Sequence, residues 1–191
     1  MLSATFVVFA AGVLAMAEDA SAASCSAPGT PNGWDFVKDN TKYNMIKRNF
    51  KLGGIVDTQC LSSTFKHKKD TEHRVDAEVQ FQAAASGEWF TIEQRYQFYL
   101  DSGDKYNTMT TTDDSSSPKA TYQFGYTGEH CAVVFVDNIE GLSSETSATK
   151  KCVLWLEDGH EEDSCCNTFL EDNCDGDFNP IYKATCKNAR K

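Results

Sequence analysis

Adjacent Cys165 and Cys166 are the sharpest chemical signal in the chain. Neighbouring residues on a helix point about 100° apart and cannot bridge each other without heavy strain, so the pair must reach two different partners. Cys25, Cys60, Cys131, Cys152, Cys174 and Cys186 bring the count to eight. An even number in an exported chain argues for four disulfides rather than metal ligands. One of the pair can tie the N-terminal arm and the other a strand. Staples that close loops this long are worth about 3 to 5 kcal/mol each in the chain-entropy picture. A redox or metal role finds no support, because the spacing is not Cys-x-x-Cys and no His accompanies the pair.

Catalytic patterns fare no better, and no enzyme is expected. His67, His73, His130 and His160 fall in different segments, without Gly-x-Ser-x-Gly or His-Glu-x-x-His, and each reads as a surface histidine. The run Asp163-Ser164-Cys165-Cys166 invites comparison with secreted phospholipases, but Glu162 stands where their His would be and their glycine-rich calcium loop is missing. Glu157, Asp158, Glu161, Glu162 and Asp163 form an acidic cluster whose spacing is not that of an EF-hand, so it reads as a solvated loop. No cofactor and no metal are expected.

What remains is aromatic: 12 Phe, 7 Tyr and 3 Trp can line a pocket as well as fill a core. The elements that carry them begin after residues 1–22, which read as an export signal. Its apolar run Phe6 to Leu14 is too short to span a bilayer and is followed by small residues, with cleavage expected after Ala17 or, preferably, after Ala22. Residues 23–191 then form a single domain in an oxidising, extracellular compartment. The formal charge is −10, and the leader removes only Glu18 and Asp19 from the acids. That balance disfavours nucleic acid and anionic membrane as partners.

Period-two alternation dominates the domain. In Val75-Asp76-Ala77-Glu78-Val79-Gln80-Phe81-Gln82 every odd position is apolar and every even one polar, the mark of a strand with one buried face. The pattern recurs at Phe90, Ile92, Tyr96, Phe98 and Leu100, where Gln94 interrupts it, and at Tyr122, Phe124 and Tyr126. Ile46, Phe50 and Leu52 mark an earlier strand with Arg48 on the same face. Further strands are expected at 58–65, 104–111, 132–136 and 152–157. Turn-rich breaks separate them, including 113–118 and 138–149. Eight short antiparallel strands fit an all-β, up-and-down barrel, which removes sheet edges and leaves room for one small ligand, or a sandwich. The hairpin-length connections favour the barrel, because they leave little room for a sandwich's Greek-key crossover. Near the C-terminus Asp163 can cap a helix whose Cys166, Phe169, Leu170 and Cys174 share a stripe that packs on the barrel wall.

With these residues in view, the chain resembles the tick salivary lipocalins, which include histamine-binding proteins and soft-tick relatives that bind serotonin, leukotrienes or complement. The resemblance covers nearly the whole mature chain. It rests on Trp34 ahead of Tyr43-Asn44-Met45-Ile46-Lys47, on Cys60, on Cys131-Ala132-Val133, on Leu154-Trp155, on the Cys165-Cys166 pair and on Cys186. It implies an eight-stranded lipocalin barrel with disulfides Cys25 to Cys165, Cys60 to Cys186 and Cys131 to Cys166, leaving Cys152 to Cys174.

Amine-binding members resemble one another in a Cys-Asp-aliphatic and a Glu-Leu-Trp motif. Here Ala132 replaces the Asp and Val153 the Glu. A buried cation without carboxylates is strongly disfavoured, so the resemblance implies this fold without the standard amine site. An apolar pocket suits a fatty acid or eicosanoid. By resemblance Tyr122, Phe124 and Trp155 face the pocket, with Phe50 nearby and Val153 on the Trp155 face. Arg48 is placed either to meet a lipid carboxylate or to snorkel to the surface. Two rival readings stay open. One is amine capture with Asp39 or Glu78 turned inward. The other is a monomeric scaffold whose loops bind a host plasma protein, in host-defence evasion or tick immunity.

Overall fold

The computed structural model describes Cys25 and residues 31–52, 57–112, 119–143 and 146–188. The expected leader, Pro28, Gly29 and the 113–118 turn lie outside the described residues. Eight antiparallel strands follow one another around a barrel: β1 (Lys42–Arg48), β2 (Thr58–Lys69), β3 (Arg74–Ala83), β4 (Trp89–Leu100), β5 (Tyr106–Thr111), β6 (Thr121–Thr127), β7 (Cys131–Asp137) and β8 (Cys152–Glu157). Each pairs with the next, and β1 pairs with both β8 and β2, so the sheet closes on itself. β5 begins two residues later than the alternation suggests, because the Asp101 carboxylate accepts from the Gly103 and Lys105 amides and holds Asp104 in a left-handed turn.

The alternation of β3 survives intact, with Val75, Ala77 and Val79 buried inside and Glu78 outside paired to Lys66. Elsewhere bulges reset the parity. Residues 45 and 47 of β1 face successive residues of β8, so Ile46 is the extra residue. Tyr43 and Met45 point inward, Ile46 packs outside, and Arg48 and Phe50 point inward again. Ile46 therefore does not share the Phe50 face, contrary to the alternation, because a bulge shifts every later side chain by one face. A second bulge at Gly125 sends Tyr126 outside, where its ring meets Phe169 at 5.3 Å. A third register shift, whose extra residue is Asn107 of β5, lies beside Leu100, which ends β4 half exposed rather than in the core.

One end of the barrel is plugged. A single helical turn, α1 (Gly33–Phe36), is capped by Asn32, whose side chain accepts from the Trp34 amide. It pushes Trp34 and Phe36 among Tyr43, Phe65, Phe98 and Phe124. The Tyr43 hydroxyl donates to the Phe36 carbonyl at 2.8 Å. Gly33 is required by closeness, since a Cβ there would stand 2.2 Å from the Phe124 ring.

Outside, α2 (Ser164–Asn173) starts where the Asp163 carboxylate accepts from the Cys165 amide, and it lays Cys166 and Leu170 on Tyr126, Val133, Leu154 and Leu156. The bonds Cys25–Cys165, Cys131–Cys166 and Cys152–Cys174 all converge on this helix, and Cys60–Cys186 ties down the C-terminus, the pairing that the resemblance implies. The alternation does not reveal the last two elements, β9 (Asn179–Pro180) and α3 (Ala184–Asn188). β9 lies along residues 47 and 48, where β1 has parted from β2. Ile181 completes the bridge by donating to the Ile46 carbonyl and accepting from the Cys60 amide.

Candidate ligand cavity

At the end opposite the α1 plug the barrel holds a cavity of about 110 Å³. The inward positions of β1, β3, β4, β6, β7 and β8 supply its walls: Met45, Val79, Phe81, Ile92, Tyr122, Val136, Val153 and Trp155, with Phe50, Leu52, Leu61 and Ile139 toward the rim. Leu52 and Leu142 form an isolated antiparallel bridge at that rim. Five of the six residues expected to meet a ligand line this space: Arg48, Phe50, Tyr122, Val153 and Trp155. Phe124 sits one layer deeper, against Phe98 and Phe36, and borders a separate space of only about 20 Å³. Tyr96, Tyr122 and Trp155 border both spaces and form the floor between them.

Polar groups are few in the main cavity. The Tyr96 hydroxyl donates a short hydrogen bond to Gln94 Oε1, and Tyr122 hydrogen-bonds to Tyr96. Gln94, which reads in the sequence as an interruption of a hydrophobic face, is therefore the acceptor of an inward polar chain. Burial in this apolar setting pushes Tyr122 up to about 12 and raises Tyr96 well above the ordinary phenol value. Both phenols stay neutral donors at physiological pH.

Arg48 is the one charged side chain among the described residues that line the cavity. It is only 2% exposed, so it does not snorkel. One terminal nitrogen donates to Asp57 Oδ1 at 2.7 Å and the other to Thr58 Oγ1 at 3.0 Å. Its Nε is buried without a hydrogen-bond partner. The guanidinium stands 5.5 Å from the Phe50 ring centre. Burial pulls its pKa down while Asp57 opposes the shift, and a guanidinium keeps its proton under either influence. The bulge at Ile46 is what turns Arg48 inward, across the strand pair from Val153.

The two positions that the resemblance matches to the acids of the amine-binding motif are both interior, fully buried and apolar: Ala132 lies opposite Trp155, and Val153 lines the cavity. Neither Asp39 nor Glu78 turns inward. Asp39 accepts from the exposed Asn40 side chain and the Lys68 amide, and Glu78 pairs with Lys66 on the outer face. The 157–163 acids do not converge either. Glu157 pairs with Lys38, Asp158 accepts from Asn44, Glu162 meets Lys47 and Asp163 caps α2.

Sequence reasoning passes over several wall residues, including Met45, Gln94 and Tyr96 as a polar pair, and the rim residue Ile139. The parity of β4 carries a signal for Gln94 and Tyr96, whereas nothing local places Ile139. Among the described residues no helix is long and apolar enough to cross a membrane.

The family described as "Tick histamine binding protein" matches residues 28–188, while no curated protein matches the chain. A match of that extent agrees with the closed barrel, the helix it carries and the enclosed cavity, and it shows that this chain belongs to the tick histamine-binding protein family of lipocalin-like ligand binders.

Proposed function

We propose that this protein is secreted and sequesters an amphipathic carboxylate of the fatty-acid or eicosanoid type, with the hydrocarbon in the barrel and the head group at Arg48. The observation that carries the reading is a buried, cavity-lining guanidinium whose Nε lacks a partner, set in walls that are otherwise apolar or neutral. A ligand carboxylate would satisfy that donor, and the apolar walls would bury the chain at about 25 cal/mol per Å². Tyr122, Tyr96 and Gln94 offer hydrogen bonds to a hydroxyl or keto group further along the ligand. Nothing in this arrangement needs a bond to be made or broken, which suits capture rather than catalysis. Capture of a host mediator in defence evasion, or of an endogenous lipid in tick immunity, is the role that follows.

Displacement of a fluorescent fatty acid by arachidonate tests the reading. Arg48→Met is expected to weaken arachidonate by about tenfold to a hundredfold, the worth of a charge-assisted hydrogen bond, and to leave its methyl ester unaffected. Failure of arachidonate to displace the probe, or equal affinity for both proteins, would reject it.

Biogenic amine binding is the second reading, favoured by the family description. Trp155 and Tyr122 could hold a cation on their ring faces. Against it stand the missing acids at Ala132 and Val153 and the repulsion from Arg48. Calorimetry with histamine and serotonin decides between the two, since micromolar amine binding without carboxylate binding would replace the first reading by the second.

A further inference from the structure

Far from the cavity, on the outer surface, two of the four histidines meet. The His130 and His160 rings stack with centres 3.5 Å apart, and His130 Nδ1 lies 3.1 Å from Glu157 Oε2. One ring nitrogen from each histidine and a carboxylate oxygen of Glu157 all fall within 4.8 Å of one another, the one such grouping among the described residues.

Backbone structure holds the three together. The Glu157 amide donates to the His130 carbonyl at 2.8 Å, which continues the β7–β8 ladder into the turn. The Asp158 amide donates to the Lys42 carbonyl, and Gly159, at φ +88°, reverses the chain so that His160 returns over Glu157. A side chain at that φ would be strained, so the glycine is what folds His160 back. Immediately beyond His130, the Cys131–Cys166 bond fixes the same corner to α2. His130 and Glu157 are half-buried, while His160 is exposed and its ring nitrogens make no hydrogen bond among the described residues.

We propose that His130, His160 and Glu157 form a binding site for a borderline divalent transition cation, with zinc as its representative. Two imidazoles and one carboxylate are the donor set that such cations select, and hard cations such as calcium, which need six or more oxygens, are excluded by it. Zinc bonds of 2.0–2.1 Å in a tetrahedral arrangement require donor atoms about 3.4 Å apart, so the widest separations, up to 4.8 Å, must close by an ångström or so, while His130 Nδ1 and Glu157 Oε2 are already close enough. The parallel rings must also turn for their lone pairs to converge. The exposed His160 side chain has the freedom to do both. Lys38, whose Nζ is 2.8 Å from Glu157 Oε2, is nearly half exposed and competes with the metal for that carboxylate. Glu129, 3.5 Å from His130 Nε2, adds negative charge beside the site. Bound metal would tie the start of β7, the end of β8 and the segment leading into α2 at one point.

Isothermal titration of the mature, tag-free, disulfide-intact protein with zinc chloride, and separately with calcium chloride, tests the site. One equivalent of zinc is expected at low-micromolar Kd, with no calcium binding at the same concentrations. His160→Ala, in an exposed turn that keeps its backbone, is expected to weaken zinc by roughly tenfold or more, and Glu157→Gln likewise. Circular dichroism of the metal-free variants should match the parent. Absence of zinc binding, comparable calcium binding, or zinc binding by folded His160→Ala equal to that of the parent would each overturn the proposal.

Discussion

At the scale of single residues, what decides ligand chemistry is the sign of the charge inside the barrel. Arg48 is the buried cation, and Val153 sits directly across the strand pair from it. Val153→Glu would therefore place a carboxylate where a ligand head group is proposed to lie. That variant is expected to remain folded, because Arg48 partners the new charge, and to lose arachidonate displacement; circular dichroism and the probe assay read the two outcomes. Ser63 gives a contrasting case. Its hydroxyl is buried beside the small inner space without a hydrogen-bond partner. Removing an unsatisfied buried hydroxyl relieves a desolvation penalty of about 1–3 kcal/mol, so Ser63→Ala is expected to be neutral or stabilising in urea unfolding. A clear loss of stability would show that the hydroxyl has a partner.

At the scale of elements, bulges and turns aim the side chains. Gly125 marks the β6 bulge, and a Cβ at that position would stand 2.5 Å from the Phe135 ring. Gly125→Ala is expected to cost about 1–3 kcal/mol through overpacking, measured as a lowered urea midpoint with unchanged slope. Another element-level device is the tie between the segment after α2 and the segment leading into β8. Asp175 accepts from the Thr149 amide, the Lys150 amide and the Thr149 hydroxyl at 2.8–3.0 Å. The Thr149 and Lys150 amides in particular hold its pKa down at about 2. A carboxyl that is depressed in the folded state binds fewer protons there than in the unfolded chain. Its contribution is therefore complete above the unfolded value of roughly 3.9 and is lost as pH falls through about 2. Asp175→Asn should lower the denaturation midpoint at pH 5, and the difference from the parent should shrink as pH falls below about 4 and be small by about pH 2. A difference that is as large at pH 2 as at pH 5 would assign the effect to something other than the carboxylate.

At the scale of the whole molecule, one disulfide stands at the seam of the barrel. The C-terminal segment fills the gap between β1 and β2, and Cys60–Cys186 keeps it there across 126 residues of chain. Cys152–Cys174 spans only 22. In the chain-entropy picture the longer closure is worth about 5 kcal/mol and the shorter about 3 kcal/mol. Paired substitution of Cys60 and Cys186 by Ala should therefore lower the thermal midpoint more than the same change at Cys152 and Cys174. The reverse order would mean that native contacts around α2, rather than chain entropy, set the scale. Arg48 lies beside this terminal clasp, so opening the Cys60 bond is also expected to weaken ligand retention, read as faster release of the fluorescent probe.

Local chemistry in the sequence determined the secreted-type cysteine framework, the eight strands and the helix that Asp163 caps. Alternation, capping and turn residues act over a few positions, and their signals survive in a linear reading. Ala132 and Val153 are apolar in the sequence itself, and the absence of acids there has meaning only through the resemblance to the amine-binding motif. Only the tertiary structure decided which way Ile46 and Tyr126 face, because a bulge is a mismatch between two strands and neither strand records it alone. The burial of Arg48 against Asp57, the polar chain from Tyr122 to Gln94 and the meeting of His130 with His160 likewise depend on closure. Each joins residues from separate strands or turns, and their distances exist only after the barrel has brought those segments together.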